Sequence, residues 1–352
     1  MQAPVSCIPN SSKMSKVKKT IDEAKESSNT ELDLVDRSIT SFEELPGLLN
    51  MVNITRLSIS HNKIAVVPPG LANLINLEIL NFSNNWIQEL PVSLSSLPKL
   101  RILNVSINRL NSLPRGFGAF PVLEILDLTY NNLNEKTLPG NFFMMGEVLS
   151  RIFDNHILSK TFFYLIFVCF YNKYTFFLHV KQSCKMNITI AFPHHRQGSC
   201  VCSFTPYNTV NIIYQTLRAL YLGDNDFEYI PPGIGQLKNL QILSLRENDL
   251  IELPSEIGEL TRLRELHLQA NRLTVLPPEL GNLDLASNKA MLRIEGNFWI
   301  TPIDDQLKLG TSHVLDYIRS ETYRMIYSRH LAAKPPPPGQ PIDKTKKASR
   351  AR

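Results

Sequence analysis

Leu77-Glu-Ile-Leu80-Asn-Phe82-Ser-Asn-Asn85-Trp-Ile87-Gln-Glu-Leu90-Pro91 is the stretch from which the rest of the chain can be read. Its frame returns at Leu100, Leu103, Val105, Asn108, Leu110, Leu113 and Pro114, and again from Leu217 to Pro231, Leu240 to Pro254 and Leu263 to Pro277. The asparagines mark the period. Asn62, Asn85, Asn108 and Asn131 are 23 residues apart, as are Asn225, Asn248 and Asn271, but between Asn131 and Asn225 the step is 94.

Self-similarity at this period, with Leu-x-x-Leu-x-Leu-x-x-Asn at its centre, is the leucine-rich repeat pattern. A degenerate copy precedes the full ones, with Arg37 in the asparagine slot, and a distorted one follows around Leu292, Ile294 and Asn297. Leu-x-Leu is a short strand with both leucines on one side. A single coil cannot bury them, so coils stack and their strands form one parallel sheet. Each ladder asparagine is expected to satisfy backbone groups of adjacent coils that would otherwise be buried unpaired. The Leu-Pro pair steers the convex side into an extended or turn path, because proline disfavours helix at the residue before it. The fold class expected is α/β: a leucine-rich repeat horseshoe with a parallel concave sheet, a C-terminal helical cap and disordered ends.

The 352 residues suffice for one such solenoid with its ends. Residues 1–30 contain no apolar run long enough for a secretory signal and read as a disordered extension, with Met14 a second candidate start. The repeats occupy 31–145 and 215–302. No cysteine occurs in the full coils, which favours a reducing, cytoplasmic setting. Over 303–333, Leu307, Val314, Leu315, Ile318, Tyr323 and Ile326 recur at helical spacing and read as the cap; a partner-binding amphipathic helix is the alternative. The net charge is +5, and residues 334–352 carry six Lys or Arg against one Asp after Pro335–Pro338. This segment reads as a solubilising, disordered tail in preference to a contact with nucleic acid or acidic lipid.

Residues 146–214 do not belong to the ladder. They hold 14 of the chain's 30 aromatic residues and four of its five cysteines, and deleting them shortens the 94-residue step to 25. The preferred reading is a translated intron or a gene-model error. The apolar run Phe162 to Tyr171 is about half the ~20 residues a membrane helix needs, so no stable membrane insertion is expected. Cys184, His194, His195, Cys200 and Cys202 are of zinc-ligand type, but Cys-x-Cys and His-His are not the usual spacings, and no metal is expected.

With that segment set aside, the text outside the generic consensus resembles the Ras suppressor family. The resemblance is carried by Leu113-Pro-Arg-Gly-Phe-Gly, Leu123-Glu-Ile-Leu-Asp-Leu-Thr-Tyr-Asn-Asn-Leu, Leu138-Pro-Gly-Asn-Phe-Phe, Leu276-Pro-Pro-Glu-Leu-Gly-Asn-Leu-Asp-Leu and Tyr317-Ile-Arg-Ser-Glu-Thr-Tyr. It implies a non-enzymatic adaptor at cell–matrix adhesions. Such an adaptor binds the last LIM domain of PINCH, so joins the complex with integrin-linked kinase and parvin, and dampens Ras signalling. Direct binding of a Ras-family GTPase is the alternative, as is loss of function through the insertion.

The repeat itself points to a binding face. Residues flanking the inward leucines face out of the concave sheet, in rows ~4.8 Å apart. Asp127, Tyr130, Tyr221, Arg246 and His267 are the candidate partner-binding residues, because tyrosine and arginine are enriched at interface hot spots. Asp127, Tyr221, Arg246 and His267 are read as one row, against Ser58, Asn81 and Asn104 on earlier coils. No phosphate loop, Gly-x-Ser-x-Gly or His-Glu-x-x-His occurs, and Ser60, Ser83 and Ser106 have no accompanying base. No catalytic residue, cofactor or nucleic-acid partner is expected.

Overall fold

The leucines at the centre of each repeat dictate the sheet. Among the described residues nine three-residue strands carry them: β1 (Glu31–Asp33), β2 (Arg56–Ser58), β3 (Ile79–Asn81), β4 (Ile102–Asn104), β5 (Ile125–Asp127), β6 (Ala219–Tyr221), β7 (Ile242–Ser244), β8 (Glu265–His267) and β9 (Met291–Arg293). They form one parallel sheet in sequence order. The computed structural model describes residues 11–139, 142, 216–333 and 335–339. The chain divides into two units, one of Met1–Met145 with Asn211–Arg352 and the other Gly146–Val210. The second unit lies outside the described residues, and with it the apolar run and the cysteines and histidines weighed above.

Register is uniform. Leu57, Leu80, Leu103, Leu126, Leu220, Leu243, Leu266 and Leu292 are successive partners. These leucines, and the residues two positions on (Ile59, Phe82, Val105, Leu128, Leu222, Leu245, Leu268, Ile294), are buried in a single core. On the convex side the chain makes 3-10 turns such as Val92–Ser96, Ser255–Glu259 and Pro278–Asn282. Each follows a proline in extended conformation and drops one apolar residue (Leu94, Ile257, Leu280) into the core. The proline fixes the φ from which the turn starts.

The ladder asparagines tie each coil to the one before it. Asn85 Nδ2 donates to the Ile59 carbonyl of the previous coil (2.9 Å) and to the Phe82 carbonyl of its own (3.0 Å). Its Oδ1 accepts from the Ile64 N–H at 3.0 Å. Asn62, Asn108, Asn131, Asn225, Asn248 and Asn271 repeat this arrangement. Buried peptide groups facing the turn are thereby paired.

The ladder also closes across the 94-residue step. Asn225 Nδ2 donates to the Leu128 carbonyl at 3.0 Å, and its Oδ1 accepts from the Leu133 N–H at 3.1 Å. Strands β5 and β6 pair in the common register. Beside them Glu124 bridges Arg101 (2.9 Å) and Arg218 (3.7 Å), one cation from each side of the break. The hydrogen bond from Arg101 holds the Glu124 carboxyl below the ordinary carboxylate range.

The N-terminal end departs from the disorder expected of it, and the C-terminal end carries the expected helical cap. Within 1–30, helix α1 spans Ser11–Glu26 and buries Val17, Ile21 and Ala24. Those three residues recur at i, i+4 and i+7, a helical stripe covering the edge of the first coil. At the other end, α2 (Thr301–Leu309), α3 (Thr311–Ile318) and α4 (Glu321–Ala333) follow the last strand. Ile303, Val314, Leu315, Ile318 and Tyr323 are buried among them. The Tyr323 hydroxyl accepts from the Leu276 N–H (3.0 Å) and donates to the Leu276 carbonyl (2.6 Å). Burial pushes this phenol far above its usual range. Tyr323→Phe leaves both backbone groups buried and unpaired, so the unfolding free energy in urea is expected to fall by about 2 kcal/mol with the fold retained. In the expected free tail at 334–352, Pro338 is tied back to the solenoid by Arg272. Residues 340–352 lie outside the described residues.

Candidate docking groove

Outward positions of β5 to β8 and the turns that follow them line an open groove of about 530 Å³. Asp127, Tyr130, Tyr221, Arg246 and His267 all line it, together with Ser106, Ile107, Thr129 and Ser244. The five residues singled out in the sequence are therefore brought together, although the step from Asp127 to Tyr221 crosses the break.

Their alignment needs one correction. The register partners are Asp127, Tyr221, Ser244 and His267. Arg246 is not in that row; it lies two residues beyond Ser244, in the row of Thr129 and Gly223. Strand side chains alternate faces, so both rows look out of the sheet, one behind the other. Gly223 is what lets Arg246 lie down, since a Cβ at Gly223 would sit 2.9 Å from Arg246 Cγ. The guanidinium then reaches Asp224 at 3.3 Å and Glu247 at 3.1 Å. The Asp224 side chain is only 3% exposed, so Arg246 serves the fold as well as the groove.

The rows also differ in what their polar atoms already do. Asn81, Asn104 and Asp127 each accept, through Oδ1, the N–H two residues ahead. These side chains hold the strand exit, and one Asp127 oxygen is engaged in this way. From Tyr221 onward the same row carries tyrosine, serine and histidine. Burial and the nearby Glu265 and Asp127 carboxylates raise the Tyr221 pKa, keeping its phenol protonated and able to donate. His267 Nε2 is 3.5 Å from Glu265 Oε2. The groove thus offers a phenol, an arginine and an imidazole ringed by carboxylates, a mixture suited to a polar protein surface with both signs of charge.

One periodic feature has no signature in the residue types. The residue before every ladder asparagine is left-handed: His61, Asn84, Ile107, Tyr130, Asp224, Glu247 and Ala270 have φ between 52° and 62°. The turn out of each strand imposes this geometry, and hydrogen bonds of the asparagine that follows hold it. Left-handed backbone costs a non-glycine residue about 1–2 kcal/mol, and a β-branched one is the worst case. Ile107 is also 46% exposed, so it returns little by burial. Ile107→Asn is expected to raise the unfolding free energy by about 1 kcal/mol, read as a higher urea midpoint at unchanged slope.

The chain folds as a leucine-rich repeat solenoid. The family described as "Leucine-rich repeat region" matches residues 207–288, and "Leucine rich repeat" matches 52–110. Ras suppressor protein 1 of Homo sapiens is 67% identical over 135 residues, which are 38% of this chain and 49% of that relative. The Bos taurus protein of the same name is 65% identical over 135 residues, with the same coverage. This leucine-rich repeat chain therefore spans about half the length of the curated relatives it matches. Among solved structures, a leucine-rich repeat protein of Leptospira interrogans is 24% identical, covers 77% of this chain and 55% of its own, and has a TM-score of 0.45. The ectodomain of the Arabidopsis receptor kinase HAESA, solved with a peptide hormone, is 22% identical, covers 76% and 34%, and has a TM-score of 0.49. Among the described residues no helix is long and apolar enough to cross a membrane, and no group of three or more His, Cys, Asp or Glu could hold a metal ion.

Proposed function

We propose that this leucine-rich repeat chain is a non-enzymatic adaptor whose concave groove docks a LIM domain of PINCH. Through PINCH it joins the integrin-linked kinase and parvin complex at cell–matrix adhesions, on the cytoplasmic side, and restrains Ras signalling. The observation that carries the docking part is the convergence of Tyr130, Tyr221, Arg246 and His267 on one open groove. Tyrosine and arginine dominate interface hot spots, and a stacked sheet presents them on a rigid, wide surface. The partner's identity rests on the likeness to Ras suppressor protein 1, which covers part of the chain.

Direct docking of a Ras-family GTPase is the second reading, favoured by the name of those relatives alone. A pull-down with the purified full chain as bait separates the two. The last LIM domain of PINCH is expected to be retained, and a GTP-loaded Ras-family GTPase is not. Retention of the GTPase without the LIM domain reverses the assignment.

A further inference from the structure

The segment Pro335–Gly339, which follows the cap helix α4, is hydrogen-bonded back to the solenoid through Arg272. Arg272, the residue after a ladder asparagine, is only 7% exposed. Its Nε–H donates to the Pro338 carbonyl at 2.8 Å, and its Nη2 donates to the same oxygen. A buried guanidinium thus pins one carbonyl 66 residues away. Pro335, Pro336 and Pro337 are exposed, while Pro338 is half-buried.

Chemistry fixes the rest of the segment. Each proline ring holds φ near −65°, and a residue followed by proline is excluded from helix and driven to extended or polyproline conformation. Four prolines in succession therefore form a left-handed polyproline turn, with no N–H to pair with a strand. At three residues per turn, Pro335 and Pro338 share an edge, and Pro336 and Pro337 occupy the other two. Pinning Pro338 sets the rotation of the whole turn about its axis, so the same edges always face solvent.

We propose that Pro335–Pro338 is a second docking element, presented to a module of the SH3 class whose aromatic-lined groove takes a polyproline helix. Such grooves exploit a ligand whose ordering entropy is already spent, and here the anchor removes rotational freedom as well. The element is separate from the concave groove, so the adaptor is bivalent: one partner on the sheet, another on the strap.

The test uses the purified full chain and an isolated SH3 domain with a tryptophan in its groove, followed by 15N chemical-shift titration of that domain. Saturable shifts confined to the aromatic groove are expected. The variant Pro335→Ala/Pro336→Ala/Pro337→Ala keeps Pro338 and its bond to Arg272, and is expected to bind about tenfold more weakly or worse, which is at least ~1.4 kcal/mol. Its thermal midpoint and its retention of a LIM domain stay unchanged, which separates loss of this element from failure of the groove assignment. Absence of saturable shifts with the full chain, or equal binding by the triple variant, overturns the proposal.

Discussion

Alanine in place of Asn225 is expected to lower the unfolding free energy by about 3 kcal/mol. The variant strands the Leu133 N–H in a dry interior and removes one of the two donors to the Leu128 carbonyl, which keeps the Asn131 amide. Each buried group left without a partner costs about 1–3 kcal/mol, whereas the methylene lost from the side chain is minor. The same change at Asn108 removes the equivalent bonds to Ile87 and Phe82. Equal losses at the two sites in urea titrations mean that the coil spanning the break is as firmly closed as an ordinary one. A loss at Asn225 below about 1 kcal/mol, with the full loss at Asn108, would mean that the flanks of the break do not stack in solution.

Paired removal of Tyr221 and His267 is expected to weaken LIM-domain binding by about 100-fold, or ~2.7 kcal/mol, in calorimetric titration. These residues are chosen over Arg246 for a structural reason. Arg246 is paired with the buried Asp224, and deleting one partner of a buried pair destabilises the fold. Tyr221 and His267 lie one behind the other on the groove floor, separated by Ser244. Tyr221→Ala/His267→Ala should therefore keep the parent's circular dichroism spectrum and urea midpoint to within about 1 kcal/mol. Parent-like affinity in the folded double variant removes the groove from the account.

Much of this architecture was legible in the sequence because the repeat is a stacking code. The period of 23 placed β2 to β5 and β6 to β8, while β1, β9 and the rung at Asn297 rest on the degenerate copies at the two ends. Tyr221 and His267 were findable because the outward strand positions depart there from the small polar residues of Asn81 and Asn104. Arg246 falls outside that row because it follows β7, two residues beyond Ser244. The left-handed residue of each coil was invisible, since the position accepts His61, Ile107, Tyr130 and Ala270 alike and the geometry belongs to the turn. Helix α1 was missed for a different reason. Its apolar stripe has only Val17, Ile21 and Ala24, and most of its remaining residues are polar or charged, so only the exposed edge of the first coil reveals what the stripe covers. The anchoring of Pro338 depends on a contact 66 residues away, which no local pattern encodes.

On the proposed docking, a LIM domain covers the sheet face that spans the break. Amide hydrogen exchange of the full chain, with and without saturating LIM domain, reads that surface directly. Slowed exchange is expected along β5 to β8 and the turns carrying Tyr130 and Arg246, with β1 to β3 and the cap helices unchanged. Protection confined to the convex turns or the cap, with β5 to β8 exchanging as in the free protein, would contradict it.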